Sequence, residues 1–191
     1  MMTKKQQQIF EVGKSLFWKH GTSRVSVEEI CREAGVSKKT YYKYFSNKNE
    51  LIRFILKHVT DEAILKYRSI MDSDMSFEEK VREQINQKLE GTKELSKEFL
   101  EDIYKKGDPE ILAFIGETSQ KTMKMVTDDY IEAQKQGDIR KDVSPKFMLY
   151  FMNQMMEMIK DERLVGMYES VNELIEEVIN FFFYGVLSRH Q

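Results

Sequence analysis

The sequence has few of the residues that interrupt helices or cross-link chains. Its 191 residues include two prolines, nine glycines and one cysteine. With so few helix breakers, long periodic segments run without interruption, so an all-α fold is expected. The single thiol, Cys31, excludes an intrachain disulfide and favours a reducing compartment.

Long apolar runs are also missing. The longest mostly apolar stretch, residues 178–187, is too short to span a bilayer. The N-terminal sequence MMTKKQQQ lacks the apolar segment of a signal peptide. We therefore expect a cytoplasmic protein that does not enter a membrane.

The motifs of common enzymes and metal sites do not occur. There is no H-E-x-x-H, no phosphate-binding loop and no G-x-S-x-G, and the three histidines, His20, His58 and His190, are isolated. Adjacent carboxylates such as Glu176 and Glu177 diverge by about 100° on a helix and do not converge on a substrate. We expect no enzyme, no catalytic residues, no metal and no cofactor.

Charge is distributed unevenly along the chain. Up to His58, twelve lysines and arginines stand against five glutamates, which gives +7. The remainder carries 18 basic and 27 acidic residues, which gives −9. This asymmetry is typical of a small basic nucleic-acid-binding part attached to a larger body that nucleic acid need not touch.

Residues 26–48, SVEEICREAGVSKKTYYKYFSNK, predict two short helices joined by a tight turn. Ser26 is a suitable N-cap, and Glu29 three positions later completes a capping box. Gly35 can end the first helix in the left-handed conformation, after which Ser37 caps the second. The residues of one apolar face recur at helical spacing: Val27, Ile30, Cys31 and Ala34.

The second helix, about residues 38–44, has a basic, hydroxyl-rich surface. Such side chains contact phosphates and base edges, so the pattern predicts a helix-turn-helix with its second helix in the DNA major groove. Another helix begins near Lys48, where the helix N-terminus and the lysine both favour a phosphate. A surface helical hairpin with solvated lysines remains an alternative. The predicted DNA-binding residues are Ser26, Ser37, Lys38, Lys39, Thr40, Tyr42, Lys43, Tyr44 and Lys48.

The longer stretch of residues 9–59 closely resembles the N-terminal domain of the TetR (tetracycline-repressor) family of bacterial transcription regulators. Two positions depart from the family pattern: Lys39 often is glycine there, and Tyr41 often is leucine or phenylalanine. We expect Tyr41 to keep its ring in the core with its hydroxyl at the edge. The matching residues are Leu16, Phe17, Gly21, Ser26, Val27, Ile30, Ala34, Gly35, Val36, Ser37, Lys38, Thr40, Tyr42, Phe45, Lys48 and Leu51.

The resemblance implies a regulator built from two parts. Residues 1–48 would form a helix-turn-helix DNA-binding domain, and residues 49–191 a larger helical ligand-binding and dimerisation domain. A helix from about residue 46 to 71 would connect them. Further helices are predicted at 4–20, at 77–89 ending at Gly91, at 94–106, at 109–136 ending at Gly137, at 147–160 capped by Ser144, and at 171–188.

Methionines and aromatic residues are concentrated in two of these later helices. Methionine fills irregular space and repacks around variable partners, although an ordinary core has the same composition. The resemblance implies a small-molecule pocket in this part of the chain. The candidate pocket residues are Phe114, Met123, Tyr130, Met152 and Met155.

The last helix has an apolar stripe that is broader than one neighbouring helix usually covers. We expect it to pair with a second copy through a four-helix bundle, which would make the protein a homodimer reading an inverted repeat. A purely internal core is the alternative. The candidate interface residues are Phe151, Ile175, Val178, Phe182, Gly185 and Val186.

Two functions follow from this sequence. The first is a homodimeric transcription regulator, typically a repressor, that binds double-stranded DNA and is released by a small molecule. The second is a helical homodimeric binding or scaffold protein without specific operator recognition.

Overall fold

The computed structural model describes residues 2–186, except for the side chains of Met156 and Val186. This part of the chain forms α-helices and contains no strand. None of these helices combines the length and the apolar character needed to span a bilayer. The helices are α1 (Lys4–His20), α2 (Val27–Glu33), α3 (Lys38–Tyr44), α4 (Lys48–Met71), α5 (Phe77–Thr92), α6 (Lys97–Tyr104), α7 (Pro109–Gln136), α8 (Pro145–Met158), α9 (Glu162–Val165) and α10 (Val171–Val186).

The chain folds into two compact units. Unit 1 comprises the residues up to Ala63 together with Glu94–Ile115, and unit 2 comprises Ile64–Lys93 and the residues from Gly116 onward. The chain passes between the units within α4 and again within α7. Helix α6 therefore belongs to the same unit as α1, α2 and α3, although it lies far from them in sequence.

Unit 1 has a dense core formed by α1 to α4 and α6. Gly13 on α1 allows α4 to approach closely, because a Cβ there would lie 3.0 Å from Leu51 Cδ2 and 3.3 Å from Ile55 Cδ1. The most deeply buried residues of this core are Ile9, Phe17, Val25, Ile30, Tyr41, Phe45, Leu51 and Ile55.

Unit 2 is organised around a group of aromatic rings. Tyr130 on α7 lies 5.8 Å from Phe77 and 6.4 Å from Phe182, and Phe182 in turn stacks on Phe151 at 5.9 Å. Ring contacts of this kind stabilise a core beyond the area that they bury. The rings therefore join α5, α7, α8 and α10 inside one protomer.

The helix boundaries agree with the sequence where capping signals are strong. Helices α1 and α7 have the predicted limits, whereas α4 begins two residues later than expected. Ser144 caps α8 as expected, although that helix runs from Pro145 to Met158, and Ser76 caps α5. The prediction that Gly91 ends α5 is wrong, because the helix continues to Thr92. Helix α6 is shorter than predicted, α9 was not predicted, and the predicted end of the last helix at Ser188 lies outside the described residues.

Candidate nucleic-acid interface

The turn between α2 and α3 has the conformation that the sequence predicts. Gly35 has φ +63°, and the Val36 N–H donates to the Cys31 carbonyl at 3.0 Å, which ends α2. A residue with a Cβ would be strained in this left-handed conformation. Ser26 and Ser37 are N-caps, and their hydroxyls accept from the backbone N–H three positions later, each at 3.1 Å. Both serines thus have a structural role besides any role in DNA contact.

Helix α3 is fixed from inside by one aromatic residue. Tyr41 is fully buried, and its hydroxyl donates to the Asn47 carbonyl at 3.4 Å. Burial raises the pKa of this phenol well above its usual range. The ring thus lies in the core and its hydroxyl reaches the end of the helix, as the sequence suggested.

The cations of α3 differ in their surroundings. Lys38 forms an ion pair with Glu28 on α2, and this hydrogen bond raises the pKa of the lysine. Lys43 lies 6.0 Å from the ring centre of Tyr44. Lys39 is exposed and makes no ion pair within the described part of the chain. Lys39 and Lys43 are accordingly free to meet a phosphate, whereas Lys38 must first leave Glu28.

The hydroxyl groups of α3 fall into two sets. Tyr42 is 53% exposed and points away from the core. The Thr40 hydroxyl lies 3.0 Å from that of Ser37, and the Tyr44 hydroxyl accepts a hydrogen bond from Thr3 at 2.9 Å. Tyr42 is therefore the phenol presented to a partner, while Tyr44 also connects α3 to the residues before α1.

Lys48 lies in a different environment from the one that the sequence suggested. Its ammonium donates to the backbone carbonyls of Thr22 at 2.6 Å and Val25 at 3.0 Å. Burial lowers the pKa of this lysine, and the nearby charge of Asp102 partly offsets that effect. Two of the three donors of the ammonium thus hold the turn before α2, which leaves one for any phosphate.

Asp102 on α6 holds the same turn from the other side, and sequence reasoning did not identify it. It is only 6% exposed, and its carboxylate accepts from both the N–H and the hydroxyl of Ser23 at 2.7 Å. A Cβ on Gly21 would collide with this carboxylate. Since α6 follows the turn by about eighty residues, no local sequence signal could have shown the contact.

Further contacts attach α6 to α1. The Ser96 N–H donates to the Trp18 carbonyl at 2.9 Å, and the Trp18 ring lies 4.6 Å from the ring of Phe99. Trp18 is buried, with 7% of its surface exposed. Helices α1 to α3 and α6 consequently form a single packed unit.

The five candidate pocket residues do not form one group. Phe114 lies in unit 1, whereas the other four lie in unit 2. Tyr130 is 1% exposed and packed among core rings, with its hydroxyl donating to Gln84 at 3.3 Å. Met152 and Met155 pack against the same core, and Met123 is half-buried.

The apolar stripe on α10 is covered within the protomer, which corrects the reasoning from an uncovered stripe. Ile175 and Phe182 are each only 4% exposed. Val178 and Phe151 are half-buried, Gly185 is exposed, and the side chain of Val186 lies outside the described residues. The strongly exposed aromatic residues of α10 are instead Phe181 and Tyr184, at 74% and 77%.

The apolar face next to these residues continues on α8. Phe147 and Tyr150 are 56% and 62% exposed. An open groove of about 490 Å³ is lined by residues of both helices, among them Phe147, Phe151 and Phe181. Exposed aromatic residues in such a concentration mark an interaction surface.

Comparison with known proteins agrees with the geometry of α2 and α3. The family described as bacterial regulatory proteins, tetR family, matches residues 9–54. HTH-type transcriptional regulators from several Staphylococcus aureus strains are similar, with 29% identity over 66 residues. That match covers 35% of this chain and 36% of the relatives, so it spans about a third of their length.

Solved structures are similar over nearly the whole chain. The fatty acid degradation regulator FadR from Bacillus halodurans has a TM-score of 0.73 and 18% identity, with 100% of both chains covered. Regulatory protein TetR from Rhodobacter sphaeroides has a TM-score of 0.76 and 16% identity, covering 97% of this chain and 100% of that one. A candidate regulator from Saccharomonospora viridis in complex with choline has a TM-score of 0.71 and 16% identity, covering 96% and 97%.

At these identities the structural likeness shows a common all-α fold, and the family match shows the helix-turn-helix domain. The expected fold class is thereby confirmed, as is the expected kinship. Residues 9–54 of the chain match the DNA-binding domain of the family described as bacterial regulatory proteins, tetR family, and the described part of the chain shares its fold with solved regulators.

Proposed function

We propose that this protein is a homodimeric transcription regulator that binds an inverted-repeat operator through α3 and leaves it when a small molecule binds. The observation that supports this most directly is the exposed, cationic face of α3, which Tyr41 anchors from behind. The match of residues 9–54 to a regulator family agrees with it. The site of action would be the bacterial cytoplasm, where the DNA is.

The dimensions of α3 suit the major groove. Seven residues make a helix about 10 Å long. The major groove is about 12 Å wide and admits an α-helix. Lys39 and Lys43 would contact phosphates, and Lys38 would join them after giving up Glu28. Thr40 and Tyr42 carry the hydroxyls that can reach base edges.

The homodimer would form through α8 and α10. Phe181 and Tyr184 on α10, with Phe147 and Tyr150 on α8, are the exposed aromatic residues suited to a self-complementary contact. These four residues replace the buried Ile175 and Phe182 as the centre of the proposed interface. A two-fold dimer would place the two α3 helices on successive major grooves of an inverted repeat.

Two similar solved structures support the release of this protein from DNA by a small molecule. The similar regulator from Saccharomonospora viridis was solved with choline, and the FadR of Bacillus halodurans is a regulator of fatty acid degradation. For this chain we propose a small-molecule site in unit 2, with Met152 and Met155 contributing to its apolar wall.

Binding to DNA should be tested first by selecting bound fragments from genomic DNA and then measuring affinity against salt. Lys39→Ala and Lys43→Ala should each weaken binding and reduce the salt slope by about one for each phosphate that the variant no longer neutralises. Lys121→Ala, an exposed lysine of unit 2, is the matched control and should change neither. Salt-dependent binding without any sequence preference would favour the scaffold alternative.

A further inference from the structure

One ion pair connects the first helix of the helix-turn-helix to the second. The Lys38 ammonium, at the start of α3, donates to the Glu28 carboxylate in the first turn of α2. This hydrogen bond is the main cause that raises the pKa of Lys38 and lowers the pKa of Glu28. Glu28 therefore neutralises a cation on the helix that we propose to enter the major groove.

The pair contributes little to the fold. Both side chains are more than half exposed, and exposed pairs of this kind change an equilibrium constant by about fivefold at most. The hydroxyls of Ser26 and Ser37 cap the two helices, and Gly35 forms the turn between them in the left-handed conformation. The two helices thus keep their positions without the pair, and its main effect is on the charge of this surface.

The neighbouring cation of α3 has no such counter-ion. Lys39 is exposed and makes no ion pair within the residues that the structure describes. A cation of this kind attracts any phosphate, whatever the base sequence. Lys38 can do so only after its ammonium leaves Glu28, and that exchange requires a phosphate within hydrogen-bonding distance.

The exchange depends on how closely α3 approaches the DNA. In a helix-turn-helix complex with its operator, the second helix lies in the major groove and the first crosses the backbone. Binding to unrelated DNA comes essentially from phosphate charges, without the base contacts that hold the second helix in the groove. In that looser complex the nearest acceptor for the Lys38 ammonium is still Glu28.

We propose that Glu28 keeps Lys38 out of sequence-independent binding, so that this lysine contacts a phosphate only when α3 lies in the major groove of the operator. Glu28 thereby determines specificity, because it lowers the affinity for unrelated DNA more than the affinity for the operator. The inference rests on the operator binding proposed above and names a residue that sharpens it.

The expected effect follows from the charge of one phosphate contact. Each contact adds about 0.9 to the salt slope, which corresponds to about eightfold in affinity between about 1 M and 0.1 M salt. Glu28→Gln should therefore bind unrelated DNA about eightfold more tightly at about 0.1 M salt, with a slope steeper by about one. For the operator the slope should stay the same, and the affinity should rise by about fivefold at most.

The test measures fluorescence anisotropy of the full chain with two DNA fragments over a series of salt concentrations. One fragment is an operator selected from genomic DNA, and the other has the same length and composition in shuffled order. Glu11→Gln is the matched control, since it removes one exposed carboxylate from α1 and changes the net charge equally. It should leave both salt slopes as they are in the wild type.

A double variant separates masking from net charge. Glu28→Gln combined with Lys38→Met has the net charge of the wild type, so it should bind unrelated DNA with wild-type affinity and slope. Its slope for the operator should be smaller by about one. Lys39→Met should instead reduce the slope for both fragments. Because the helix caps remain, the Tm of each variant should lie within about 4 °C of the wild type.

The outcomes separate this inference from the proposed function. It is overturned if Glu28→Gln affects unrelated DNA no more than Glu11→Gln does, or if the double variant loses the same slope on both fragments or on neither. A selected operator together with either result leaves the proposed function standing. If no fragment is preferred, operator recognition fails, and the comparison on unrelated DNA still decides whether Glu28 masks Lys38.

Discussion

Replacing Asp102 by alanine should release the turn that leads into α2. The carboxylate accepts two hydrogen bonds from Ser23, at 2.7 Å each, and the Lys106 ammonium lies 3.6 Å away. Burial by itself raises the pKa of Asp102, but the Ser23 hydrogen bonds and the Lys106 charge outweigh it, so the pKa is below its usual value. The native fold therefore stabilises the ionised carboxylate.

The expected loss of stability is large for a single side chain. Hydrogen bonds to a charged group contribute about 1.5–3 kcal/mol each. Ser23 is exposed, so water can replace part of this interaction energy in the variant. A loss of about 3 kcal/mol in the free energy of unfolding is therefore expected for Asp102→Ala. For a chain of this length that corresponds to a Tm about 6–12 °C lower. Asp102→Asn keeps one acceptor oxygen and should lose about half as much.

The stabilisation that Asp102 provides should decrease as the pH falls. Because the folded pKa is depressed, the stabilisation is fully present above the unfolded pKa of about 3.9 and is lost as the pH falls through the folded pKa. The difference in Tm between wild type and Asp102→Ala should therefore be constant from neutral pH down to about 5, the range above that unfolded pKa, and should shrink in more acid solution.

The assay is hydrogen exchange of the Ser23 amide, combined with thermal unfolding. A destabilisation of about 3 kcal/mol would accelerate exchange by up to the order of 100-fold. Glu101→Ala is the matched control, since Glu101 is an exposed neighbour on α6 that pairs with Lys106, and surface pairs of this kind contribute about 0–1 kcal/mol. Unchanged Ser23 exchange in Asp102→Ala, with a Tm equal to that of the control, would refute the role of this carboxylate.

Three further changes test other contacts. Lys48→Ala should weaken DNA binding for all sequences but leave the salt slope almost unchanged, because its ammonium holds backbone carbonyls; a slope smaller by one would show a phosphate contact. Phe181→Glu should give folded monomers in sedimentation, whereas Phe182→Glu should unfold unit 2, and a dimeric Phe181→Glu would exclude this face as the interface. Gly13→Ala should cost about 1 kcal/mol in thermal unfolding, since crowding of Leu51 outweighs the gain in helix propensity; a stabilised variant would show that Leu51 moves aside easily.

Local signals explain how far the sequence predicts unit 1. Ser26 and Ser37 cap their helices through bonds that span three residues, and Gly35 ends α2 by its own conformation. Each of these features depends only on nearby residues, so the sequence contains them directly. The starts of α2 and α3 and the turn between them could therefore be predicted from nearby residues alone.

Contacts between segments that lie far apart in the sequence could not be predicted from local signals. The role of Lys48 depends on carbonyls more than twenty residues earlier, and that of Asp102 on Ser23. An ammonium at a helix start can bind either a phosphate or a backbone carbonyl, and only the folded chain shows which carbonyls are within reach. The sequence identified Lys48 as a DNA-binding residue, which stays a prediction, but it could not show that the ammonium holds two backbone carbonyls in the free protein.

Helix α10 shows a related difficulty. Apolar residues occur on more than one of its faces, and the sequence does not say which face meets the protomer's own helices. The more regular stripe, with Ile175 and Phe182, faces inward, while Phe181 and Tyr184 remain exposed. Periodicity finds an apolar face, but its partner depends on tertiary packing.

The turn of residues 22–25 bears on the proposed release of DNA by a ligand. Lys48 at the start of α4 holds its carbonyls and Asp102 of α6 holds its amide, so the position of α2 and α3 depends on both helices. Helix α4 continues without interruption into unit 2, and α7, which contacts α5 through the bond from Tyr130 to Gln84, begins in unit 1. An effector needs about 1.4 kcal/mol of differential binding to lower operator affinity tenfold. That is less than the roughly 3 kcal/mol expected for the Asp102 contact alone, since charged hydrogen bonds are worth about 1.5–3 kcal/mol each. A ligand in unit 2 would therefore not have to break the fold of unit 1; partial loosening of this one turn would suffice.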